Sequence, residues 1–343
     1  MNIVFIKYDI DLFSPTPCFW RGEMLFRALK KNSRNIVDLV SFTHFSENST
    51  SVQKICSEAQ ILVFQAYPGI DLLNVTSYWK SRGKKIVVDI PLDIELLYFD
   101  NEDYGSQPKT LSSMYTNIQS NSNKTLNQIE KFRWGLHLAD TILVSSFNQI
   151  EKWQSAAPVQ VFPEYIDLDS LNNVTREQSN EFHIAIVSGC QPSNPISTDL
   201  IRIIEDSFPE VTIHIVNIEN EQTQNNNFQS ISAWRELPIN YKLAIFVDEF
   251  PIRGIFYRNI LEFLSLRIPF LLNADKGYKD LAKYGLIIEN KENFRNQIIN
   301  IFSQIKNDST QNDEGYLFAI GQNIDDHIND ILIYFSELIK KTG

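Results

Sequence analysis

The stretch Asp248–Asn273, DEFPIRGIFYRNILEFLSLRIPFLLN, constrains the fold of this chain more than any other. An apolar strand, Leu243–Val247, runs into a polar loop with Gly254 and two arginines. A helix carrying Glu262 follows, and a second apolar strand begins at Pro269. Strand, loop, helix and strand within about 30 residues is a βαβ unit, whose crossover all but dictates parallel pairing. Ligands of such units sit at the carboxyl ends of the strands, against the amino end of the helix. Arg253, Arg258, Asn259 and free backbone N–H groups are therefore expected to face one crevice with Glu262, a place for a phosphorylated ligand.

The same alternation runs through the rest of the chain. Ile3–Ile6, Ile36–Val40, Ile61–Phe64, Ile86–Ile90 and Thr141–Ser145 are continuous apolar runs of the kind buried parallel sheets favour. Helix-period segments lie between them at Gly22–Lys31, Val52–Ala59, Asp71–Ser81 and Leu126–Leu138. Asp100–Lys124 is polar and irregular, and Asp167–Asn180 is the linker candidate. After it the pattern restarts: strand His183–Val187, helix Thr198–Ser207, strand Thr212–Val216, then the βαβ unit. A helix at Tyr278–Tyr284, a strand at Leu286–Glu289 and a helix at Glu292–Ile305 follow. Ile218–Ser230 is a low-complexity polar excursion, and Tyr316–Lys340 a long terminal helix. At 343 residues the chain exceeds one ordinary core. The pattern implies two doubly wound α/β domains, 1–172 and 180–315, with a terminal helix over 316–343 and a ligand cleft where strand carboxyl ends meet.

Composition narrows the chemistry. A net charge of −11 argues against nucleic acid as a partner, because phosphate backbones need a basic face. Cys18, Cys56 and Cys190 form neither a metal pattern nor a disulfide framework. No apolar run reaches the roughly 18 residues of a membrane span, and no signal-peptide pattern opens the chain, so a cytoplasmic setting is expected. The five histidines form no metal pair in sequence, and no metal or cofactor is expected.

Two further elements carry site chemistry. Trp20, Arg21 and Gly22 follow the first strand at a helix start, where tryptophan stacks on sugars while arginine and helix N–H groups hold anions. Asp89 and Asp93 end the fourth strand and face the expected cleft, placed to position acceptor hydroxyls or, in an inverting reaction, to serve as base.

With the halves placed, three segments carry a family likeness. HLADTILVSS (His137–Ser146) looks like the helix–strand junction closing an N-terminal domain, and VQVFPEYID (Val159–Asp167) is similar to a "V-I-P-N-G-V-D" crossing segment. ILEFLSLRIPF (Ile260–Phe270) looks like "L-E-A-M-A-x-G-x-P-V", with Arg267 replacing the glycine. On these segments the chain resembles the GT-B glycosyltransferases, in particular the family-four retaining group. The resemblance implies that Glu262 holds the ribose of a nucleotide sugar and that the last helix crosses back onto the N-terminal domain. It implies a metal-independent transfer to a glycan, lipid-linked or protein acceptor, with Arg253 and Arg258 stabilising the departing diphosphate. The backbone around Gly189, Gln191 and Ser193 would join them there.

Two departures stand out. The family's second donor-site glutamate falls on Gly254, and the loop Ser188–Pro195 lacks the usual basic residue. A non-catalytic accessory subunit of the same fold, acting through a partner or as a homo-oligomer, is therefore the first alternative. A sugar-nucleotide epimerase is the second.

Overall fold

A computed structural model describes residues 1–7, 17–32, 34–47, 49–65, 71–90, 122–172, 181–188, 195–217, 228–230, 241–247, 257–273, 281–288, 294–307 and 312–340. It divides into two compact units, with chain crossings at Tyr165/Ile166 and Asn323/Ile324. The first unit contains β1 (Asn2–Lys7), α1 (Pro17–Asn32), β2 (Ile36–Ser41), α2 (Phe42–Ser46), α3 (Thr50–Glu58), β3 (Ile61–Gln65), α4 (Leu72–Lys80) and β4 (Lys85–Ile90). It continues with α5 (Ser122–Leu138), β5 (Thr141–Val144), α6 (Ile150–Trp153) and β6 (Val159–Val161). The second contains α7 (Leu168–Asn172), β7 (Phe182–Ser188), α8 (Pro195–Ser207), β8 (Val211–Asn217), β9 (Phe228–Ser230) and β10 (Tyr241–Val247). After them come α9 (Tyr257–Ser265), β11 (Phe270–Asn273), β12 (Leu286–Ile288), α10 (Phe294–Asn307) and α11 (Asp313–Ile320). The final helix, α12 (Ile324–Lys340), belongs to the first unit.

Each unit holds one parallel six-stranded sheet, ordered β2-β1-β3-β4-β5-β6 in the first and β12-β11-β10-β7-β8-β9 in the second. The apolar runs explain the burial. In the first sheet Val4, Ile6, Leu62, Phe64, Ile86 and Val88 pack with residues of α3, α4 and α5. Their neighbours Ile3, Phe5, Ile61, Val63 and Val87 pack on the opposite face with α1 and α12. A strand covered on both faces must be apolar at every position, and Ile86–Ile90 departs from that only at Asp89. In the second sheet, Ile184, Ile186, Leu243 and Ile245 meet α8 and α10. Phe246, on the other face, stands edge-on to Phe263 of α9 at 5.8 Å.

Helix ends follow local chemistry. Asp71 caps α4 by accepting from the Asn74 N–H at 3.1 Å, and Asn312 caps α11 by accepting from Gly315 N–H at 2.9 Å. At the end of α9, Arg267 adopts φ 60°, a left-handed conformation that glycine favours. Its N–H reaches the Leu264 carbonyl, and the Ile268 N–H reaches that of Phe263. The guanidinium lies over the Tyr316 ring at 4.3 Å and 3.7 Å from Asp313, both on α11.

Several elements differ from the sequence expectation. The expected helix over 316–340 is two helices, broken at Gly321–Asn323, where Asn323 forms a parallel bridge with Ile166. The end of the polar excursion 218–230 is not loop. Phe228–Ser230 adds an edge strand to β8. Leu168–Asn172 of the linker candidate is helical, and Ala282–Tyr284 is a single 3₁₀ turn.

Candidate functional site

The second sheet reverses its winding between β7 and β10, and a crevice opens outside the carboxyl ends of strands at such a point. Helix α9 follows β10 there. Its amphipathic spacing is unusual, because from Arg258 onward every residue is buried, the polar ones included. Arg258 and Asn259 lie in the first turn and Glu262 one turn on, with only 1% of Glu262 exposed. The Arg258 Nε donates to Glu262 Oε1 at 2.9 Å, an i,i+4 pair that aligns the carboxylate along the helix. Asn259 is 2% exposed, and its side-chain oxygen accepts no hydrogen bond. Three polar groups thus converge at the amino end of a helix whose unpaired N–H groups favour anions.

A second polar cluster sits in the first unit, also at strand carboxyl ends. Asp89 is 1% exposed and ends β4; Arg21 is 3% exposed and lies in α1. The Arg21 Nε donates to Asp89 Oδ1 at 2.8 Å, and its Nη2 donates to the Val144 carbonyl at 3.3 Å. Nη1 donates to the Pro163 carbonyl at 3.4 Å and lies 3.5 Å from Glu164 Oε1. Burial works against the guanidinium charge, yet the combined pull of Asp89 and Glu164 holds its pKa above the ordinary value. For Asp89, burial raises the carboxyl above the usual range, and the attraction of Arg21 offsets this only in part. Arg21 therefore binds its own protein: it ties α1 to the ends of β4, β5 and the segment after β6. The Asp89 Oδ2, by contrast, has no hydrogen-bond partner.

Of the residues expected at the sites, Arg258, Asn259 and Glu262 come together on α9, and Arg21, Gly22 and Asp89 in the first unit. Trp20 lies on α1, its side chain outside the description. Asp93, Gly189, Gln191, Ser193, Arg253 and Gly254 lie outside the described residues. Two participants escaped the sequence reading. Gln65 ends β3 in register with Asp89, and its only signal is a polar residue closing the apolar run ILVFQ. Glu164 stands in the crossing segment Val159–Asp167, and no pattern in that segment singles it out.

His183 and His214, on neighbouring strands, approach to 3.1 Å between ring nitrogens, with Glu181 3.2 Å from His183. No group of three or more metal-ligating side chains occurs among the described residues, and no described helix is long and apolar enough to cross a membrane.

No protein-family model matches the sequence, and no curated protein matches it. Solved structures do match. HepE of Anabaena, solved in complex with UDP, aligns with TM-score 0.64 at 15% identity, over 98% of this chain and 100% of that one. A candidate UDP-N-acetylglucosamine 2-epimerase from Listeria monocytogenes aligns with TM-score 0.57 at 11% identity, over 100% and 98%. The lipopolysaccharide outer core galactosyltransferase WaaB aligns with TM-score 0.55 at 11% identity, over the whole of both chains. At such identities the likeness is one of fold, and the fold is GT-B: two Rossmann-like α/β domains in one chain.

Proposed function

We propose that this protein is a glycosyltransferase that moves a sugar from a nucleotide-sugar donor to an acceptor hydroxyl. The observation that carries this reading is Glu262, a carboxylate buried one turn into a helix at the winding reversal of the second sheet and aligned by Arg258. A carboxylate so placed accepts two hydrogen bonds from a vicinal diol such as ribose. The UDP in the HepE structure supports uridine diphosphate as the donor's nucleotide.

On this reading Glu262 holds the ribose and Arg258 orients it, with Asn259 beside them. The diphosphate falls to Arg253, the backbone around Gly189, Gln191 and Ser193, and the N–H groups at the start of α9. Stabilising that leaving group drives the reaction: the acceptor oxygen bonds to the anomeric carbon as the bond to the phosphate oxygen breaks. The nucleotide departs with the electron pair, and the hydroxyl proton passes to the departing phosphate. Retention is what the sequence resemblance to the family-four group implies. Gly254 and the loop Ser188–Pro195 favour a second reading, in which the protein binds the nucleotide without transfer.

Calorimetric titration with UDP and UDP-sugars tests both. The folded protein should bind UDP, and Glu262→Gln should weaken it by about 10- to 100-fold, the loss of one or two charge-assisted hydrogen bonds. No binding to the folded protein sinks both readings. UDP binding without release of sugar from any donor, to water or acceptor, leaves only the second.

A further inference from the structure

We infer that Asn259 selects the sugar half of the donor, its side-chain oxygen seating a hydroxyl of the sugar to be transferred. The inference deepens the proposed function and rests on that reading for its ligand, a nucleotide sugar.

The first observation is an unused acceptor. Asn259 is 2% exposed, and its Oδ1 has no hydrogen-bond partner among the described residues. Buried side-chain oxygens are nearly always hydrogen-bonded, so this one calls for a donor from outside the fold.

The second is direction. Asn259 lies four residues before Phe263 and so shares its face of α9. The Phe263 ring stands edge-on to Phe246 at 5.8 Å and to Tyr241 at 6.2 Å, which turns that face toward β10. Side chains on a helix lean toward its amino end, so the Asn259 amide points past Val247, the last residue of β10. It is aimed into the crevice where the second sheet reverses its winding.

The third is order along the helix. On the proposed reading Glu262 takes the ribose, and the N–H groups at the start of α9 take the diphosphate. The ligand then runs from ribose toward the amino end of α9, with the base on the far side of the ribose. Asn259 stands one turn nearer that end than Glu262, about 4.5 Å along the axis. It meets the diphosphate and the sugar beyond it, while the base lies behind Glu262.

Chemistry chooses between those two. Each phosphate of a nucleotide sugar is ionised at neutral pH and has no proton to give an amide oxygen. A sugar hydroxyl donates to Oδ1, and its neighbour on the ring can accept from the amide NH2. An ordered water has the same valence and is the rival occupant.

The test is calorimetric titration of the full chain with UDP, UDP-glucose, UDP-galactose and UDP-N-acetylglucosamine. For each protein, the ratio of the UDP-sugar and UDP dissociation constants isolates the sugar's share. Asn259→Leu removes the amide at similar volume. It should shift the ratio against at least one sugar by about three- to tenfold, the loss of one hydrogen bond. Glu262→Gln should weaken UDP and UDP-sugars by one common factor and leave the ratio where it was. Thermal melts establish that the variants fold, and Asn259→Ala serves where Asn259→Leu does not. An unmoved ratio in the folded variant gives the Asn259 oxygen to water or to the nucleotide and overturns the proposal. So does a ratio that moves equally in Glu262→Gln, or a wild type that binds UDP and none of the UDP-sugars. In each of those cases UDP still binds and the nucleotide site stands. If neither UDP nor any UDP-sugar binds the folded wild type, the nucleotide reading itself falls and the sugar seat with it.

Discussion

Arg21 joins groups far apart in sequence, so its loss should be felt by several strands at once. Arg21→Met leaves Asp89 and Glu164 buried or half-buried without their cation. Breaking such a pair from one side costs about 3–5 kcal/mol, read as a lower urea midpoint for the first unit. Removing the fully buried partner as well, in Arg21→Met with Asp89→Leu, should recover a good part of that loss, since the carboxylate on β4 is then gone and only Glu164 has lost its cation. Single residues were legible to different degrees. Asp89 showed itself as the one acid in an apolar strand, and Glu262 as an acid among Ile260, Leu261, Phe263 and Leu264. Their partners were not equally visible. Arg258 stands four residues from Glu262, a spacing any helix makes adjacent, whereas Arg21 and Asp89 are separated by 68 positions that only the fold brings together. Arg21 is expected from sequence as a ligand group at a helix start, and the structure shows three of its N–H donors turned to the protein itself.

At the level of elements, helix ends and strand neighbours decide what substitution tolerates. Arg267 occupies a left-handed position at the end of α9. Arg267→Gly should relieve about 1 kcal/mol of backbone cost and lose a similar amount of cation–π contact with Tyr316, for little net change in the melting midpoint. Arg267→Val loses the contact and keeps the strain, and should be clearly destabilising. Gly135→Ala should cost about 1–3 kcal/mol, because a Cβ there would stand 2.7 Å from the backbone of Leu72 where α5 crosses α4. The His183–His214 pair gives the second unit an acid sensitivity. Burial, and then the neighbouring His183, lower the His214 pKa from 6.5, so the unfolded chain takes up the proton more readily than the folded one. Stability from this source is intact above the unfolded value and falls as pH drops below it. His214→Gln should flatten the fall in melting temperature between about pH 7 and 5, the range in which histidine titrates. Element types were largely legible, since an apolar run buried on both faces needs no context to be recognised. The failures were contextual: Phe228–Ser230 becomes a strand only because β8 offers it an edge, and nothing before Gly321 marks the end of α11.

On the scale of the whole molecule, two sheets with separate cores predict two unfolding transitions, with UDP raising the midpoint of the one that holds α9. The first unit is discontinuous, because α12 completes the core above β1 through Ile324, Ile328, Ile331, Phe335 and Leu338. Each buried side chain of this kind contributes about 1.5–3 kcal/mol, so together they match a typical domain's entire stability. A chain ending at Asn323 should accordingly lose the first unit's transition and keep the second's, as calorimetry would show. The restart of alternation after the linker made two α/β units legible. The stripe on the last helix says that it is buried, and nothing in it says against which sheet. Its place after the second unit has a consequence for manufacture. A ribosome that has released Tyr165 must add 175 residues before it has made Lys340, the last of α12, roughly 9–35 s of work at ordinary speeds. Throughout that interval the nascent first half carries Ile3, Phe5 and Val63 on a sheet face that its own helix has not yet reached. Folding of the half that is made first must wait for the half that is made last.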